Sequence, residues 1–314
     1  MFNKILIISG PTATGKTDLA VELAKIYHGE LVSTDSCQIY KGLDIGTGKD
    51  QPGETPIHLI DLITPDQKFS VAQFQKAGLE IINKLHSQNK LPVLVGCSGF
   101  YLDSLINQNY DTFSIKPNKL WRLISKKLSV KTLQKIYNFL DKENFSKLNH
   151  SDINNHYRLT RKIEIKLSKI SPLHQGEMSS RTEGFDILHI SLIAPLDFLY
   201  DRINTRVQKR LDIGFFDEIK NLLKKYSWSD PGLQIAAYQC LKPYFQNKDV
   251  ETLHATSLLN TCLQKWRYAE HSDARRQSTY FKSRYSNTAS FFDITFPMFK
   301  DKIFNLVSEW YNKL

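Results

Sequence analysis

A run of eight residues near the start of the chain has the types and spacing of a phosphate-binding loop. The run consists of Gly10, Pro11, Thr12, Ala13, Thr14, Gly15, Lys16 and Thr17, and it fits the pattern Gly-x4-Gly-Lys-Ser/Thr. Glycines let the backbone turn tightly, so that consecutive N–H groups point at phosphate oxygens, and the lysine adds a full positive charge. The hydroxyl of Thr17 suits Mg²⁺. The run predicts a phosphate site, but it does not specify which phosphorylated ligand binds.

An acidic residue follows the next apolar run along the chain. Asp35 comes directly after residues 31–34, which read as the end of a short strand. A carboxylate at the C-terminal end of a parallel strand lies at the usual ligand crevice of an α/β sheet. The residues from 36 to 47 are too polar and too rich in glycine to form a core segment. Asp35 is therefore a candidate catalytic group, and a helix cap is the alternative role.

Alternating patterns in the first hundred residues indicate the elements that position these groups. Apolar runs predict strands over residues 5–9, 30–34, 57–63 and 91–95, and helical periodicity predicts helices over residues 16–27 and 71–85. Strands that alternate with helices indicate a parallel sheet that is covered on both faces. The sequence therefore predicts the α/β class.

Beyond residue 103 the pattern becomes mostly helical. Helices are predicted over residues 119–128, 130–140, 154–169, 197–213, 215–226, 234–246 and 250–274, with a single strand over residues 187–193. We predict three segments from this change. Residues 1–108 form the first part of the sheet core, residues 109–186 form a helical insertion, and residues 187–314 complete the core and add C-terminal helices.

Composition narrows the class of partner. The chain has 314 residues and a formal net charge of +10, which favours a polyanionic partner. Its four cysteines (Cys37, Cys97, Cys240 and Cys262) lack the spacing of a zinc knuckle or of a disulfide framework. No apolar run approaches the ~20 residues of a membrane span, and the start has no signal-peptide pattern. We expect a cytoplasmic protein that does not contact a membrane.

Taken in order, the motifs resemble those of the tRNA dimethylallyltransferases, in their bacterial form. The matching segments are residues 10–17, 35–47, 58–61, 69–74, 91–96, 158–165, 214–218 and 274–281, together with Arg206. In order and spacing they cover about residues 5–285, which is far more specific than a P-loop alone. The resemblance implies a P-loop NTPase-like parallel sheet core with a helical insertion domain and a helical C-terminal part.

The resemblance also implies a reaction. The N6 amine of adenine 37, beside the tRNA anticodon, attacks dimethylallyl diphosphate and releases diphosphate, with Mg²⁺ as cofactor. Asp35 matches the general base of the family, while Lys16, Thr17 and Arg206 match groups on the diphosphate. Ser98 matches a hydroxyl that could orient the adenine, and a plain turn residue is the alternative. We expect a monomer whose partners are dimethylallyl diphosphate and the anticodon stem-loop of tRNA.

Segments that contact tRNA in the family have counterparts in this chain. The implied tRNA contacts are Asp35, Ser36, Cys37, Gln38, Ser98, Arg122, Tyr157, Arg158, Leu159, Thr160, Arg161, Gln234, Ile235, Ala236, Ala237, Tyr238 and Gln239. Arg158 and Arg161 lie three apart and so share a helix face, from which both could reach backbone phosphates. A merely solvated face is the alternative.

Some positions depart from the family pattern. Cys97 and Ala237 stand where the family usually has glycine, and residues 270–273 lack a usual arginine. Two other functions therefore stay open at this point. One is a P-loop small-molecule kinase or a prenyltransferase of free adenylate. The other is a catalytically degenerate RNA-binding P-loop protein.

Overall fold

The computed structural model describes residues 3–49, 53–106, 118–148, 150–170, 184–247 and 253–313. The described residues belong to two compact units. We call residues up to Ile106 and from Gly184 onward the core unit, and the described residues between 118 and 170 the helical unit. Each unit has its own hydrophobic core, so each is described separately.

The predicted strands and helices all occur in the structure, and short helices at residues 99–106, 142–146 and 150–153 are additional. Up to residue 170 they are β1 (Lys4–Ser9), α1 (Lys16–Ile26), β2 (Gly29–Ser33), β3 (Ile57–His58), α2 (Val71–Ser87), β4 (Leu91–Val95), α3 (Gly99–Ile106), α4 (Lys119–Ser125), α5 (Val130–Leu140), α6 (Lys142–Ser146), α7 (His150–Ile153) and α8 (His156–Ile170). They continue with β5 (Asp186–Ile193), α9 (Leu196–Asp212), α10 (Phe215–Leu223), a 3-10 turn (Pro231–Gln234), α11 (Ala236–Gln246), α12 (Leu253–Arg284), β6 (Ser290–Asp293) and α13 (Phe299–Tyr311).

The described strands form a single parallel sheet in the order β3-β2-β4-β1-β5-β6. The central strand β1 pairs with β4 on one side, where Leu6 lies opposite Val93, and with β5 on the other, where Leu6 lies opposite Leu188. Strands next to each other in the sheet are thus far apart in the chain. This arrangement confirms the predicted α/β class with a P-loop NTPase-like core.

Apolar residues cover both faces of the sheet, as the continuous run in β1 requires. Leu6 and Ile8 face a cluster with α1 and α13, whereas Ile5 and Ile7 face a cluster with α2 and α3. All four side chains are fully buried. A fully buried Leu or Ile contributes roughly 1.5–3 kcal/mol, so β1 is anchored from both sides and holds the loop after it in a fixed place.

The third strand is much shorter than the sequence predicts. The prediction covered residues 57–63, but β3 ends at His58. Leu59 and Asp61 have φ angles of 64° and 53°, in the left-handed region, which an extended strand does not tolerate. Their backbone is fixed by long-range bonds, among them one from the Asp61 N–H to the Gln38 carbonyl. The local pattern of apolar and polar residues does not reveal such a long-range hydrogen bond.

The C-terminal region also differs from the prediction. The predicted helix over 250–274 continues to Arg284 as α12, and its predicted start at Val250 lies outside the described residues. Strand β6 and helix α13 were not predicted. Strand β6 has only four residues and is defined by its pairing with β5, which the local sequence does not show. In the described part of the chain no helix, α12 included, is both long and apolar enough to cross a bilayer.

A buried carboxylate holds the helical unit together. Glu164 on α8 is 2% exposed and accepts hydrogen bonds from Arg122 (3.2 Å), Arg161 (2.6 Å) and the Asn118 backbone N–H. Burial alone would raise the pKa of Glu164, but these hydrogen bonds outweigh it and hold the pKa below its ordinary value. Two of the predicted tRNA-contacting arginines, Arg122 and Arg161, thus have a structural role.

The lowered pKa of Glu164 predicts a pH dependence for the stability of the chain. A carboxyl group with a depressed folded pKa stabilises the fold above its ordinary pKa of 4.5, and that contribution is lost as pH falls through the folded value. At pH 7, Glu164→Gln should lower the free energy of unfolding by about 2 kcal/mol. Urea unfolding of both proteins from pH 7 to pH 3.5 should show this difference shrinking below pH 4.5. A difference that is constant with pH would contradict the assignment.

Candidate functional site

The site lies where three neighbouring strands end. Strands β2, β4 and β1 are adjacent and parallel, so the segments after Ser33, Val95 and Ser9 meet at one edge of the sheet. They enclose a cavity of about 270 Å³. The residues that line it are Thr12, Ala13, Gly15, Lys16, Thr17, Asp18, Asp35, Gln38, Thr47, Gly48, Gly96, Cys97, Arg202 and Arg206. The structure thus brings the predicted P-loop, Asp35 and Arg206 together.

The backbone of the P-loop, residues 10–17, requires glycine at position 10. Gly10 has a φ of 134°, and a Cβ there would lie 2.2 Å from the Leu192 carbonyl oxygen, so no other residue fits. Helix α1 begins at Lys16, whose Nζ donates to the Pro11 carbonyl at 2.7 Å. The N-terminus of α1, with its partial positive charge, therefore faces the cavity beside a lysine. This is an arrangement for binding a phosphate.

Two arginines on α9 complete the positive wall of the cavity. Arg206 Nη1 donates to Thr12 Oγ1 at 3.0 Å, and Arg202, one turn earlier on α9, also lines the cavity. Sequence reasoning identified Arg206 but missed Arg202, although their spacing of four residues on one predicted helix is a usable signal. From α12, Gln277 Oε1 accepts the Thr12 backbone N–H at 2.8 Å. Lys16, Arg202 and Arg206 together favour a ligand with several negative charges.

Asp35 is held in the cavity wall by two donors. Its Oδ1 accepts the Cys37 backbone N–H at 2.8 Å, and its Oδ2 contacts Cys97 Sγ at 3.3 Å. Burial, followed by the charge of Asp35, raises the pKa of the Cys97 thiol, which therefore stays protonated and can donate. Since Asp35 lines the same cavity as the P-loop, its carboxylate can accept a proton from a group bound there.

Ser36, Gln38 and Ser98 support the loop that carries Asp35. Ser98 Oγ accepts the Ser36 backbone N–H at 3.0 Å and lies 3.1 Å from Ser36 Oγ. Gln38 is buried, and its Oε1 accepts from Ser33 Oγ at 3.3 Å. The structure therefore shows Ser98 bonded next to Asp35, where it fixes the loop. Its predicted role in orienting a base stays a prediction.

Most of the predicted contact segment at residues 234–239 is used inside the core unit. Ala237 and Tyr238 are buried, and the Tyr238 hydroxyl donates to Glu218 Oε1 at 2.7 Å. Gln234 and Gln239 both donate to the Trp228 carbonyl, at 2.6 and 3.0 Å. Ile235 caps the start of α11 and Ala236 is its first residue. Direct contact of RNA with the Ala237 or Tyr238 side chain is at odds with this burial, so we do not retain it.

Some of the predicted tRNA-contacting residues in the helical unit are exposed, and others are buried. Tyr157 is 67% exposed, and the Arg122 guanidinium lies 5.9 Å from its ring centroid. Arg158 is half-exposed and donates to Asp152 at 2.7 Å. Leu159 and Thr160 are buried in the unit, because α8 turns this face towards α5. The predicted side-chain contacts of Leu159 and Thr160 with RNA are therefore not retained.

Residues 270–273, where an arginine usual in the family is missing, lie in α12 where it packs against α9. Glu270 accepts from Arg210 at 2.6 Å and from the Trp266 indole at 2.8 Å. His271 contacts Asn204 Oδ1 at 3.0 Å and stacks on Tyr200 with ring centroids 4.1 Å apart. These residues stabilise the helix that carries Arg202 and Arg206. The departure thus leaves the positive wall of the cavity in place.

Two family profiles match this chain. Residues 38–284 match the profile described as IPP transferase, and residues 3–62 match the one described as isopentenyl transferase. A tRNA dimethylallyltransferase of Leuconostoc citreum is 35% identical over 282 residues, which cover 89% of this chain and 90% of that protein. One from Ligilactobacillus salivarius is 30% identical over 319 residues, covering 99% of this chain and 100% of that protein.

Solved structures resemble the fold along nearly the whole chain. A tRNA isopentenylpyrophosphate transferase of Bacillus halodurans has a TM-score of 0.69 and 29% identity, with 98% of this chain and 97% of that chain covered. A eukaryotic dimethylallyltransferase acting on tRNA has a TM-score of 0.78 at 20% identity, covering 98% of this chain and 78% of that one. The second likeness concerns the fold alone.

Proposed function

Because this chain belongs to the IPP transferase family, and is therefore an enzyme that transfers a dimethylallyl group to tRNA, we propose that the acceptor is the N6 amine of adenine 37. We propose dimethylallyl diphosphate as the donor, so that diphosphate leaves. The observation that carries this proposal is a cavity lined by both the P-loop and Asp35. Family membership favours this function over a small-molecule kinase, a prenyltransferase of free adenylate and a catalytically degenerate RNA-binding protein.

In the proposed reaction Asp35 is the general base. The N6 nitrogen attacks C1 of the dimethylallyl group, and the bond from C1 to the diphosphate oxygen breaks with its electron pair leaving on the diphosphate. The proton that N6 loses goes to Asp35. The Cys37 N–H and the Cys97 thiol hold one oxygen of the carboxylate each, and each oxygen keeps a further lone pair that can accept a proton. A positioned base of this kind contributes about 10²–10⁴-fold to a rate.

The opposite wall stabilises the leaving diphosphate. The amides of the P-loop, Lys16, Arg202 and Arg206 surround the position where negative charge grows as the C–O bond breaks. Thr17 and Asp18 line the same cavity, and a hydroxyl beside a carboxylate fits Mg²⁺, which commonly uses one or two carboxylates together with substrate phosphates. When bound, Mg²⁺ would neutralise part of the charge on the diphosphate.

We propose that the helical unit contacts the anticodon stem-loop of the tRNA. Adenine 37 must leave its stack to react, which costs a few kcal/mol that contacts elsewhere must offset. Tyr157 presents a ring on which a base can stack, and Arg158 beside it can reach a phosphate. The formal net charge of +10 favours the same partner. We further propose that the enzyme acts as a monomer in the cytoplasm, where tRNA matures.

Incubating the pure protein with labelled dimethylallyl diphosphate and Mg²⁺ tests this function. We expect label in a tRNA that carries adenine 37 and none in the same tRNA with guanine at that position. Label in AMP but not in tRNA would contradict the proposal. Mass spectrometry of the digested tRNA locates the label on N6, and attachment elsewhere would also contradict it. Omitting Mg²⁺ and adding a chelator should abolish the transfer.

The contact of Arg158 with a tRNA phosphate predicts a change in salt dependence. Arg158→Ala should weaken tRNA binding and reduce the slope of log K against log salt by about 1. Lys135→Ala on α5, which removes another exposed charge of the same unit, is the control and should leave the slope unchanged. The measurement is a set of binding titrations from 50 to 300 mM KCl. A slope unaltered by Arg158→Ala would show that this arginine does not contact phosphate.

A further inference from the structure

One half-buried carboxylate outside the cavity accepts four hydrogen bonds. Glu218 on α10 accepts the backbone N–H groups of Asp44 (2.8 Å), Ile45 (2.6 Å) and Gly46 (2.9 Å). It also accepts the Tyr238 hydroxyl at 2.7 Å. Burial, followed by the charge of Glu218, raises the pKa of Tyr238, so the hydroxyl remains a donor. Three consecutive amides on one carboxylate fix the backbone of that loop.

The loop that Glu218 holds is part of the cavity wall. We call residues 44–48 the wall loop, because its last two residues, Thr47 and Gly48, line the cavity. A second group holds the same loop, since Arg210 Nη1 donates to the Gly46 carbonyl at 3.3 Å. The backbone of the wall loop is thus held by hydrogen bonds to three N–H groups and to one carbonyl. Glu218 accepts the amides of Asp44, Ile45 and Gly46, and the Gly48 N–H donates to the Ile45 carbonyl at 2.9 Å, so these four amides are already used within the protein.

The wall loop touches the arginine that reaches the P-loop. Gly48 has a φ of 59°, and a Cβ at this position would lie 2.8 Å from the Arg206 guanidinium and 2.2 Å from that of Arg210. The backbone of the loop therefore lies directly against Arg206, which donates to Thr12. If the loop moved, Arg206 would lose the surface that keeps its guanidinium on the ligand side.

From these contacts we infer that Glu218 is a positioning residue for the diphosphate, acting through the wall loop and Arg206. Its side chain does not line the cavity, so it does not touch the ligand. The inference rests on the proposed function only in naming the ligand as a diphosphate. It also gives the predicted RNA-contacting residue Tyr238 a different role, as the hydroxyl that keeps Glu218 in place on the loop.

Glu218→Gln tests the inference, with Asp217→Asn as its matched control. Glutamine keeps the size of the side chain but turns an NH₂ group towards donors that need an acceptor. We expect the dissociation constant for inorganic pyrophosphate with Mg²⁺, measured by calorimetry, to rise about tenfold, while tRNA affinity stays within twofold. Asp217 is the adjacent carboxylate, exposed and paired only loosely with Lys220 at 3.4 Å among the described residues. Its variant should bind pyrophosphate like the wild type.

Two further measurements separate positioning from a general loss of folding. Hydrogen exchange of peptides spanning residues 43–49 should be faster in Glu218→Gln than in the wild type or in Asp217→Asn. Tyr238→Phe, which removes one of the four bonds, should raise the pyrophosphate dissociation constant about two- to threefold. Unchanged pyrophosphate affinity in Glu218→Gln, or equal losses for pyrophosphate and tRNA, would overturn the inference. Because the probe is pyrophosphate, this result is independent of whether the wild type modifies adenine 37.

Discussion

Replacing Asp35 by asparagine is expected to slow dimethylallyl transfer by about 10²–10⁴-fold, because the amide cannot take the N6 proton. Asparagine has nearly the same size, and its oxygen can still accept the Cys37 N–H that Asp35 accepts at 2.8 Å. The loop should therefore keep its shape, and pyrophosphate should bind as before. The measurement is a single-turnover rate with labelled dimethylallyl diphosphate and saturating tRNA.

Asp66→Asn, which removes an exposed carboxylate from the same unit, is the matched control for Asp35→Asn and should react at the wild-type rate. The role of Asp35 as base would be wrong if Asp35→Asn stayed within threefold of that rate. A different outcome is also informative. If the rate falls only in proportion to a loss of pyrophosphate binding, Asp35 acts on the diphosphate or its metal ion, and another group must take the proton.

Replacing Lys16 by methionine should have the second largest effect. Lys16 is 8% exposed at the start of α1, so methionine fills its space while removing the charge. Removing one preorganised donor from a site of growing negative charge typically costs about 10²–10³-fold in rate. Unlike Asp35→Asn, this variant should also bind pyrophosphate more weakly, because the charge acts on the ligand both before and during the reaction.

Lys25→Met provides the control for Lys16→Met, since Lys25 is exposed in the last turn of the same helix. It should match the wild type in rate and in pyrophosphate affinity. Calorimetric titration with pyrophosphate and single-turnover kinetics measure the two effects separately. Wild-type rates in Lys16→Met would mean that the P-loop binds no reacting phosphate.

The parts of the site that sequence predicts are those defined by local chemistry. The P-loop needs a particular order of glycines, lysine and threonine, and a strand before it, all within fifteen residues. Asp35 was predicted from its place after a strand, and parallel pairing of β2, β4 and β1 brings it to the same edge as the P-loop. Parallel sheets expose the carboxyl ends of their strands together, so one topological rule places both.

The parts that sequence does not predict depend on contacts between distant residues. Tyr238 and Leu159 match positions assigned to RNA contact, yet both are fully buried, which only three-dimensional packing determines. From the sequence, Glu218 looks like an ordinary exposed glutamate in the first turn of a helix. In the structure it accepts hydrogen bonds from backbone N–H groups 172 to 174 residues away. The early end of β3 has the same origin, because a bond to Gln38 fixes the turn at Asp61.

The hydrogen bond from the Thr12 amide to Gln277 has a consequence for protein synthesis. The P-loop leaves the ribosome well before the group that accepts its Thr12 amide, because Gln277 lies 265 positions later in the chain. Domains generally assemble during translation as their segments emerge, and this one cannot finish until α12 is out. Truncated chains that end before α12 should therefore lack a correctly formed P-loop. They should have no transferase activity.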